Sequence, residues 1–365
     1  MARILNVIQC SNLGGMEKVT LLRVAGLKAL GNEVKLISLN PLGRLRPLLI
    51  ENGIPAEGLA YQGAWGWRSV GAMRRAFRQE PWDAVLMHGH NAAATMALGD
   101  LCRGKKILFV HYHHAGVKPR WQWRVIYQMA VRRFSLIAFV SDYVRAEAEE
   151  IFPPLRDISR TLRNPVELPA LSATSDRVRA RQALGLPFDV KLVGNAGWLI
   201  QRKRPDVFLQ VAAKVAQIVP DAHFAVAGDG PLRPELEEQA RAAGIEGRVY
   251  WLGWRDEISV FYKALDVLLF NSEWDALGQT PVEAVAHSTP VVASVARGGL
   301  GELLEDGKHL FLSAKHDTDW LAEKVAYLLQ NPEEGRRMAL AGRQHLAATC
   351  SLEHDSRTIV DLLGF

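Results

Sequence analysis

Two carboxylates in the C-terminal half of the chain stand in a setting that suits a polar ligand. Asp275 and Glu283 lie eight residues apart, on either side of a glycine and a predicted helix start. The amides near Gly278, Gln279 and Thr280 open that helix and can hold a phosphate. Carboxylates accept strong hydrogen bonds from hydroxyl groups. The pattern therefore favours a ligand with hydroxyl groups at both ends and phosphates between them, as in a nucleotide sugar. The alternative is that both acids serve only to stabilise the start of the helix.

Two adjacent cations, Arg202 and Lys203, follow a different predicted strand. Taken alone they are typical of a solvated loop. Beside a strand end in a ligand-binding sheet, they are instead suited to neutralising phosphate. We therefore regard them as candidate diphosphate ligands.

The elements that must position these residues form two similar series. Short apolar, β-branched runs alternate with helix-period stretches along the chain, which is typical of parallel sheets covered by helices on both faces. Predicted strands are residues 4–9, 34–39, 84–88, 107–111, 136–140, 190–195, 222–227, 249–252, 267–270 and 291–294, and predicted helices include 16–30, 206–218, 234–243 and 281–287. The polar stretch 168–175 is the best candidate for the linker between the two series. The sequence predicts an α/β protein of two Rossmann-like domains whose sheets face each other across a cleft, with ligands at the carboxyl ends of the strands.

The usual nucleotide fingerprints do not occur. No G-x-G-x-x-G follows the first predicted strand, and no G-x-x-x-x-G-K-[ST] occurs in the chain. Among candidate functions, NAD-dependent chemistry and P-loop ATP chemistry are therefore less favoured.

The chain resembles glycosyltransferase family 4, the retaining enzymes of GT-B fold whose signature is E-x7-E. The signature reads D-x7-E here, followed by Thr289-Pro290-Val291-Val292-Ala293 and Gly298-Gly299. Further matching pieces are Gly14-Gly15-Met16-Glu17, His111, Asn164-Pro165-Val166, Lys203-Arg204-Pro205-Asp206, Gly228-Asp229-Gly230-Pro231 and Leu252-Gly253-Trp254. The resemblance spans nearly the whole chain.

The resemblance implies roles for individual residues. His111, Lys203 and Asp275 would be catalytic: the histidine would touch the donor sugar or the acceptor, the lysine would neutralise the diphosphate, and Asp275 would take a sugar hydroxyl. Glu283 would bind the donor ribose. The full set of donor-binding candidates is Gly14, Gly15, Arg202, Lys203, Gly230, Leu252, Asp275, Leu277, Gly278, Gln279, Thr280 and Glu283.

Two departures from the family pattern fall at donor-contacting positions. The first acid is Asp275 instead of Glu, and the family's following glycine is Ala276, so the carboxylate sits about 1.5 Å further back. The family's Gly-Arg before the lysine reads Gly197-Trp198. One of two expected phosphate-binding cations is therefore missing, and Arg202 is the candidate replacement.

The resemblance also implies a domain plan and a reaction. Residues 1–167 would bind the acceptor, residues 176–350 would bind the nucleotide sugar, and residues 351–365 would form a helix that packs back on the first domain. The expected activity is retaining transfer of a sugar from a nucleotide diphosphate, UDP in preference to GDP, to a hydroxyl of a lipid-linked or envelope-polysaccharide acceptor. A sugar-nucleotide epimerase of similar fold and a non-catalytic sugar-nucleotide scaffold remain as alternatives.

We expect no obligatory metal ion and no other cofactor. The histidines at two predicted strand ends, His88, His90, His111, His113 and His114, lack the three or four convergent ligands that zinc requires. Asp317-Thr318-Asp319 resembles a D-x-D metal motif, but it opens a predicted helix, where acids need no metal to explain them.

The composition of the chain indicates where in the cell the protein functions. The 365 residues are 48% hydrophobic and 23% charged, which is ordinary for a globular protein. Its three cysteines, Cys10, Cys102 and Cys350, are too few and too widely spaced for a disulfide framework, and no apolar run is long enough to span a membrane. We expect a cytoplasmic protein.

The charge is unevenly distributed along the chain. Residues 1–170 carry a net charge of +10 and the remainder −5. The acid-free run 118–134 mixes five cations with Trp121, Trp123, Tyr127 and Phe134, and a second patch lies near Trp65, Trp67 and Arg74. Such runs are typical of interfacial helices on anionic lipid, and also of partly buried helices with a solvated basic face. We expect peripheral binding to the inner face of the plasma membrane, and no nucleic-acid partner, because no binding module for nucleic acid accompanies the basic patch.

Overall fold

The protein divides into two compact units. A computed structural model describes residues 1–9, 14–60, 67–99, 101, 104–111, 118–171 and 174–365. The first unit comprises Met1–Val166 together with Cys350–Phe365, and the second is Glu167–Thr349. Each unit is an α/β domain with its own sheet, as the sequence predicts.

Among the described residues, the strands form two parallel sheets. The first contains β1 (Arg3–Ile8), β2 (Glu33–Ser38), β3 (Ala56–Gly58), β4 (Ala84–His88), β5 (Lys106–Val110), β6 (Leu136–Phe139) and β7 (Ser159–Thr161). The second contains β8 (Lys191–Ala196), β9 (Ala222–Ala227), β10 (Val249–Trp251), β11 (Val267–Asp275), β12 (Val291–Gly298) and β13 (Phe311–Ser313).

Helices cover these sheets. Those of the first unit are α1 (Gly15–Ala29), α2 (Arg46–Glu51), α3 (Trp67–Phe77), α4 (Ala92–Leu98), α5 (Arg120–Ala130) and α6 (Asp142–Ile151). The second unit has α7 (Thr174–Leu184), α8 (Pro205–Ile218), α9 (Arg233–Ala242), α10 (Ile258–Ala264), α11 (Gln279–Ala286), α12 (Leu300–Leu303), α13 (Thr318–Gln330) and α14 (Pro332–Thr349), and α15 (Leu352–Leu363) returns to the first unit. Single 3-10 turns occur at Pro153–Asp157, Gln201–Lys203 and Glu246–Arg248. No helix in the described part of the chain is long and apolar enough to cross a membrane.

The strand orders locate the ligand-binding edge of each sheet. The orders are β3-β2-β1-β4-β5-β6-β7 and β10-β9-β8-β11-β12-β13, which are doubly wound. In such sheets ligands bind beyond the carboxyl ends of the strands, where the strand order reverses. These switch points lie between β1 and β4 in the first unit and between β8 and β11 in the second.

Strand β11 is longer than the sequence predicts. The predicted strand ends at residue 270, because the polar residues after it are typical of a loop. In the structure β11 pairs with β12 as far as Asp275 opposite Gly298, whereas it pairs with β8 only at Val267 and Leu268. The strand therefore diverges from β8 and carries Asp275 beyond the sheet while β12 still holds it.

The C-terminal helix α15 is fastened to α1 by a buried ion pair. The guanidinium of Arg23, which is fully buried, donates to both carboxylate oxygens of Asp355 at 3.1 to 3.3 Å and to the carbonyl of Arg163 at 3.2 Å. A Cβ on Gly26 would lie 2.1 Å from the Ser356 hydroxyl. The close approach of the two helices therefore depends on a glycine and on a charge pair between residues more than 300 positions apart.

The end of α11 contains a residue in an unfavourable backbone conformation. The amides of Ser288 and Thr289 donate to the carbonyls of Val285 and Ala284, which is a Schellman motif. Glycine is the usual residue at the position that Ser288 occupies in this motif. Ser288 has φ 60°, in the left-handed region, and its hydroxyl is buried without a hydrogen-bond partner.

Substituting Ser288 with Gly is expected to stabilise the second unit by about 1 kcal/mol, because glycine adopts the left-handed conformation without strain. The measurement is urea unfolding at pH 7. Ser288→Ala is the matched control, since it removes the hydroxyl but keeps the Cβ. A gain in the alanine variant equal to that of the glycine variant would contradict the backbone argument.

Candidate functional site

The predicted cations of the second unit lie where β8 gives way to α8. A 3-10 turn at Gln201–Lys203 presents them, and the turn ends at Arg204 in a left-handed conformation. Arg202 donates from Nη1 to the carbonyl of Trp274 at 2.8 Å, and its guanidinium lies 5.6 Å from the centre of the Trp274 ring. Lys203 Nζ forms an ion pair with Asp275 Oδ2 and lies 5.1 Å from the centre of the Phe270 ring. The structure thus joins the cationic turn to the end of β11.

Asp275 is engaged through both of its carboxylate oxygens. Oδ2 contacts Lys203, and Oδ1 accepts a hydrogen bond from the Gly278 amide at 3.1 Å. Burial raises the pKa of Asp275, but the charges of Lys203 and Arg202 and the Gly278 amide outweigh burial and lower the pKa below its usual value. The carboxyl group is therefore ionised at neutral pH, and it holds the start of α11 in place.

The first turn of α11 lies at the carboxyl edge of the second sheet. Gly278 precedes the helix with φ 81°, and no side chain caps the helix, which lies entirely within the described residues. A Cβ on Gly278 would come within 3.3 Å of Pro281 and Leu300. Glycine therefore fits best here, because of both its positive φ and the limited space. The amides of Gln279 and Thr280, together with the positive end of the helix dipole, form a site for an anion. Leu277 beside them is buried.

Glu283 lies one turn into α11 and is held from behind by a tyrosine. The hydroxyl of Tyr262 on α10 donates to Glu283 Oε2 at 3.0 Å. Tyr262 is fully buried, and burial together with the negative charge of Glu283 raises its pKa well above the usual value, so the hydroxyl stays protonated and donates. Sequence reasoning missed Tyr262, because a tyrosine in an amphipathic helix is typical of a core residue and nothing in its spacing links it to Glu283.

Glycines let the neighbouring loops approach each other closely. A Cβ on Gly230 would lie 2.5 Å from the carbonyl oxygen of Leu199, and a Cβ on Gly228 would lie 1.8 Å from that of Gly197. Leu252 follows β10 and donates its amide to the Val226 carbonyl at 2.9 Å. Gly230 and Leu252 therefore border the same carboxyl edge as the cationic turn.

The remaining predicted site residues belong to the first unit. Gly14 caps α1 in an extended conformation, and a Cβ there would lie 2.5 Å from Glu17 Oε2, whereas a Cβ on Gly15 would meet open space. His111 follows β5 and is buried. Burial and the nearby charge of Arg23 lower the pKa of His111 to about 3, although the interaction with Asn164 raises it, so the imidazole is neutral at physiological pH.

His88 packs beside His111 in an aromatic cluster. Its ring stacks on Phe109 with centroids 5.0 Å apart and lies 5.9 Å from the ring of His111. His88 Nε2 is 3.3 Å from Asn6 Oδ1. Within the ranges that the structure describes, no three metal-binding side chains converge. His113 and His114 lie outside the described residues, as do Cys10, Cys102 and Trp65.

The D-x-D sequence is a helix cap, as predicted. The Asp317 carboxylate accepts hydrogen bonds from the amides of Asp319 and Trp320 at 3.0 and 3.1 Å, at the start of α13. Asp319 forms an ion pair with Lys214. Both acids thus have partners within the protein.

The basic run 118–134 is only partly exposed. Trp123, Tyr127 and Phe134 are buried in the first unit, so three of the four aromatic residues proposed for a lipid boundary are core residues. Period-3.6 patterning places Trp123 and Tyr127 on the inner face of α5, and Phe134 follows the helix. Trp121 and Val125 are 63% and 52% exposed on the outer face of α5, where Arg120 and Arg124 are also exposed. Arg132 and Arg133 follow the helix and are exposed as well.

Comparisons with known proteins agree with this architecture. A family model described as glycosyl transferases group 1 matches residues 176–345, and one described as Glycosyltransferase Family 4 matches residues 13–168. The D-inositol 3-phosphate glycosyltransferase of Corynebacterium urealyticum is 35% identical over 192 residues, which are 50% of this chain and 45% of that protein. The lipopolysaccharide core biosynthesis mannosyltransferase LpsB of Rhizobium meliloti is 31% identical over 195 residues, 50% of this chain and 54% of that protein. The chain thus spans about half the length of these curated relatives.

A solved structure extends the likeness over the whole fold. HepE of Anabaena, crystallised with UDP and glucose, superposes with a TM-score of 0.87 at 21% identity and covers 100% of this chain and 99% of its own. At that identity the match shows the fold, which is GT-B. Since the two family models together cover both units, the chain belongs to glycosyltransferase family 4.

Proposed function

We propose that the protein is a retaining glycosyltransferase that moves a sugar from a nucleotide diphosphate, UDP in preference to GDP, to a hydroxyl of a lipid-linked or envelope-polysaccharide acceptor. One observation carries the proposal. One sheet edge brings together the cationic turn with Arg202 and Lys203, the N-terminus of α11 and the carboxylates Asp275 and Glu283. The UDP bound to Anabaena HepE supports the choice of base.

The arrangement suggests how the donor is held. The diphosphate would lie against Lys203, Arg202 and the first amides of α11, because each offers positive charge or a hydrogen-bond donor. Glu283, oriented by Tyr262, would accept hydrogen bonds from the ribose hydroxyls. Asp275 would take a hydroxyl of the donor sugar while it keeps its contact with Lys203.

The reaction would break the bond between the anomeric carbon and the diphosphate oxygen. The bonding electrons pass to the diphosphate, where Lys203 and the α11 amides stabilise the added negative charge. The acceptor oxygen bonds to the anomeric carbon on the same face, and its proton passes to the departing phosphate oxygen. Neutral His111 would contact the donor sugar or the acceptor by a hydrogen bond that involves no charge on the ring.

A turnover experiment separates the proposal from its alternatives. The protein is incubated with UDP-glucose and other sugar nucleotides, with and without saccharide and lipid-linked acceptors, and products are identified by NMR. Transfer with retained anomeric configuration is expected. A new sugar nucleotide formed without acceptor would identify an epimerase, and binding without any turnover would identify a scaffold. A thermal-shift panel first selects the donor, since a ligand at 100 times its Kd adds about 2.7 kcal/mol.

Chelation of divalent cations is expected to leave most of the transfer activity intact, because cationic side chains and helix amides already face the proposed diphosphate site. The measurement is the initial rate with excess EDTA, compared with added Mg²⁺ or Mn²⁺. Complete loss of activity that only a divalent ion restores would show that a metal takes part.

We further propose that the face of α5 that carries Trp121 binds the anionic inner surface of the plasma membrane. Its exposed Trp121 and Val125 are flanked by arginines, of which Arg120 pairs with Glu150 at 2.8 Å. Cations near an anionic surface contribute about 1 kcal/mol each, and salt screens this attraction.

Replacing Arg120, Arg124, Arg132 and Arg133 with Glu is expected to release the protein from anionic vesicles in a sedimentation assay, with UDP affinity unchanged. Four exposed arginines of the second unit, Arg179, Arg241, Arg336 and Arg337, are replaced with Glu as the matched control for total charge. Vesicle binding that is indifferent both to salt and to the α5 substitutions would remove this face from the proposal.

A further inference from the structure

Two tryptophans meet on the surface at the carboxyl edge of the second sheet. The rings of Trp198 and Trp254 have centroids 4.9 Å apart and are tilted by 45°. They are 53% and 37% exposed, although burying a tryptophan ring is strongly favourable. A pair of large aromatic faces left open beside a ligand-binding edge is unusual for side chains that serve packing alone.

The position of the pair follows from the strand order. Trp198 follows β8 and Trp254 follows β10, and β9 lies between those two strands. The rings therefore meet above the end of β9. The loop after β9 contains Gly228 and Gly230, which carry no side chains, on either side of Asp229.

Backbone contacts make this support rigid. The Leu199 amide donates to the Asp229 carbonyl at 3.0 Å, and the Gly197 amide donates to the Ala227 carbonyl at 3.1 Å. Any Cβ at Gly228 or Gly230 would collide with the loop that carries Trp198. Gly253 has φ 67°, which turns the chain immediately before Trp254. The loops that carry the two rings are thus fixed by contacts within the protein, which reduces the entropy lost on binding.

The pair also lies close to the cationic turn along the chain. Trp198 precedes Lys203, the lysine proposed to bind the diphosphate, by five residues. The chain between them turns tightly, because the Lys203 amide donates to the Ile200 carbonyl at 2.9 Å. On the other side of Lys203 lie Asp275 and the start of α11. A ligand with phosphates at Lys203 can therefore extend a flat group toward β10 and the two tryptophans.

We propose that Trp198 and Trp254 form a stacking platform for the nucleobase of the sugar nucleotide, an inference that rests on the proposed function. The base is the flat aromatic part of such a donor, and bases stack on aromatic side chains through their π faces.

The test compares UDP with inorganic pyrophosphate by calorimetry. Trp198→Ala and Trp254→Ala are each expected to weaken UDP binding about 5- to 150-fold, the range found for loss of one base-stacking side chain. Pyrophosphate affinity is expected to change less than about twofold, because pyrophosphate has no base. Trp198→Phe and Trp254→Phe are expected to recover most of the UDP affinity.

Controls separate loss of stacking from loss of structure. Both tryptophans are more than one-third exposed, so the alanine variants are expected to keep the wild-type unfolding temperature. Phe188→Ala removes an aromatic ring that is 54% exposed and that precedes β8, away from the carboxyl edge, so it is expected to leave UDP binding unchanged.

Each contrary outcome has a definite meaning. Wild-type UDP binding with unchanged affinity in both alanine variants overturns the platform alone, as does an equal loss for UDP and pyrophosphate. A change confined to the acceptor concentration needed for half-maximal rate would assign the rings to the acceptor and also overturn it. If the wild-type protein binds no nucleoside diphosphate, the proposed function fails, and the platform fails with it.

Discussion

Lys203→Met is expected to lower the turnover number about 10²- to 10³-fold, the usual cost of removing one preorganised group that stabilises developing charge. The charge of Lys203 faces the proposed diphosphate position, where negative charge grows as the sugar departs. Binding of the free nucleoside is expected to change little, because a nucleoside carries no diphosphate. The measurements are the initial rate with saturating donor and the Kd values of uridine and UDP. Equal losses for uridine and UDP would remove Lys203 from this role.

The same substitution is expected to reduce stability in a pH-dependent way. It leaves the Asp275 carboxylate, whose side chain is only 15% exposed, without its ion-pair partner. We expect a loss of about 1 to 3 kcal/mol at pH 7, less than for a fully buried pair because both side chains keep some contact with water.

The sign of the pH dependence follows from the lowered pKa of Asp275. Burial raises that pKa, whereas Lys203, Arg202 and the Gly278 amide lower it further than burial raises it. A group whose pKa is lower in the folded state stabilises the protein above its unfolded pKa of about 3.9, and this stabilisation is lost as the pH falls through the folded pKa. Without Lys203 the pKa of Asp275 rises, so the carboxyl group takes up a proton earlier as the pH falls.

The deficit of the Lys203→Met variant relative to wild type is therefore expected to be largest at pH 7 and to shrink toward pH 4. Urea unfolding at pH 7, 5.5 and 4 measures it. The double variant with Asp275→Asn is the control, since it removes the charge that Lys203 compensates. A deficit that is the same at every pH, with or without Asp275→Asn, would show that the ion pair is not its cause.

Glu283→Ala is expected to weaken UDP binding about 10- to 150-fold and to lower the transfer rate in parallel. Two ribose hydroxyls would lose a charged acceptor, and a hydrogen bond to a charged group contributes about 1.5 to 3 kcal/mol. Calorimetry with UDP and initial rates with the sugar nucleotide measure the two effects. Unchanged UDP affinity would contradict the assignment.

Two companion variants separate the carboxylate from its support. Glu283→Gln keeps the shape and an acceptor oxygen but loses the charge, so its UDP affinity is expected to fall between those of wild type and the alanine variant. Tyr262→Phe removes the hydroxyl that orients Glu283 at 3.0 Å and is expected to weaken binding less than Glu283→Ala. A tyrosine effect on stability with none on UDP affinity would give Tyr262 a purely structural role.

Much of the architecture could be predicted from local sequence. The alternating apolar runs predict both parallel sheets, since a strand buried on both faces needs a continuous apolar segment, and Asp317 at a helix start predicts the cap found there. The two carboxylates around Gly278 are close in the chain, so their place at the turn between β11 and α11 also follows from sequence. These are short-range features, and short-range patterns determine them.

The contacts between distant segments could not be predicted in this way. Nothing in the spacing of Lys203 and Asp275, 72 residues apart, indicates that they form an ion pair. The same is true of the hydrogen bond from Tyr262 to Glu283, the pairing of Arg23 with Asp355 and the meeting of Trp198 with Trp254. The run 118–134 shows the converse, because its basic composition suggested a lipid-facing helix whereas packing buries three of its four aromatic residues.

The sequence by itself therefore determined the fold class, the family and the stretches of chain that end at the ligand-binding edge. The tertiary structure decided which charges neutralise one another, which aromatic rings remain exposed and which carboxylate has a supporting partner. The physical reason is that periodicity and capping act over a few residues, where the chain itself sets the geometry. Ion pairs, buried hydrogen bonds and ring contacts depend instead on which strands lie side by side, and that order is established only when the whole sheet has formed.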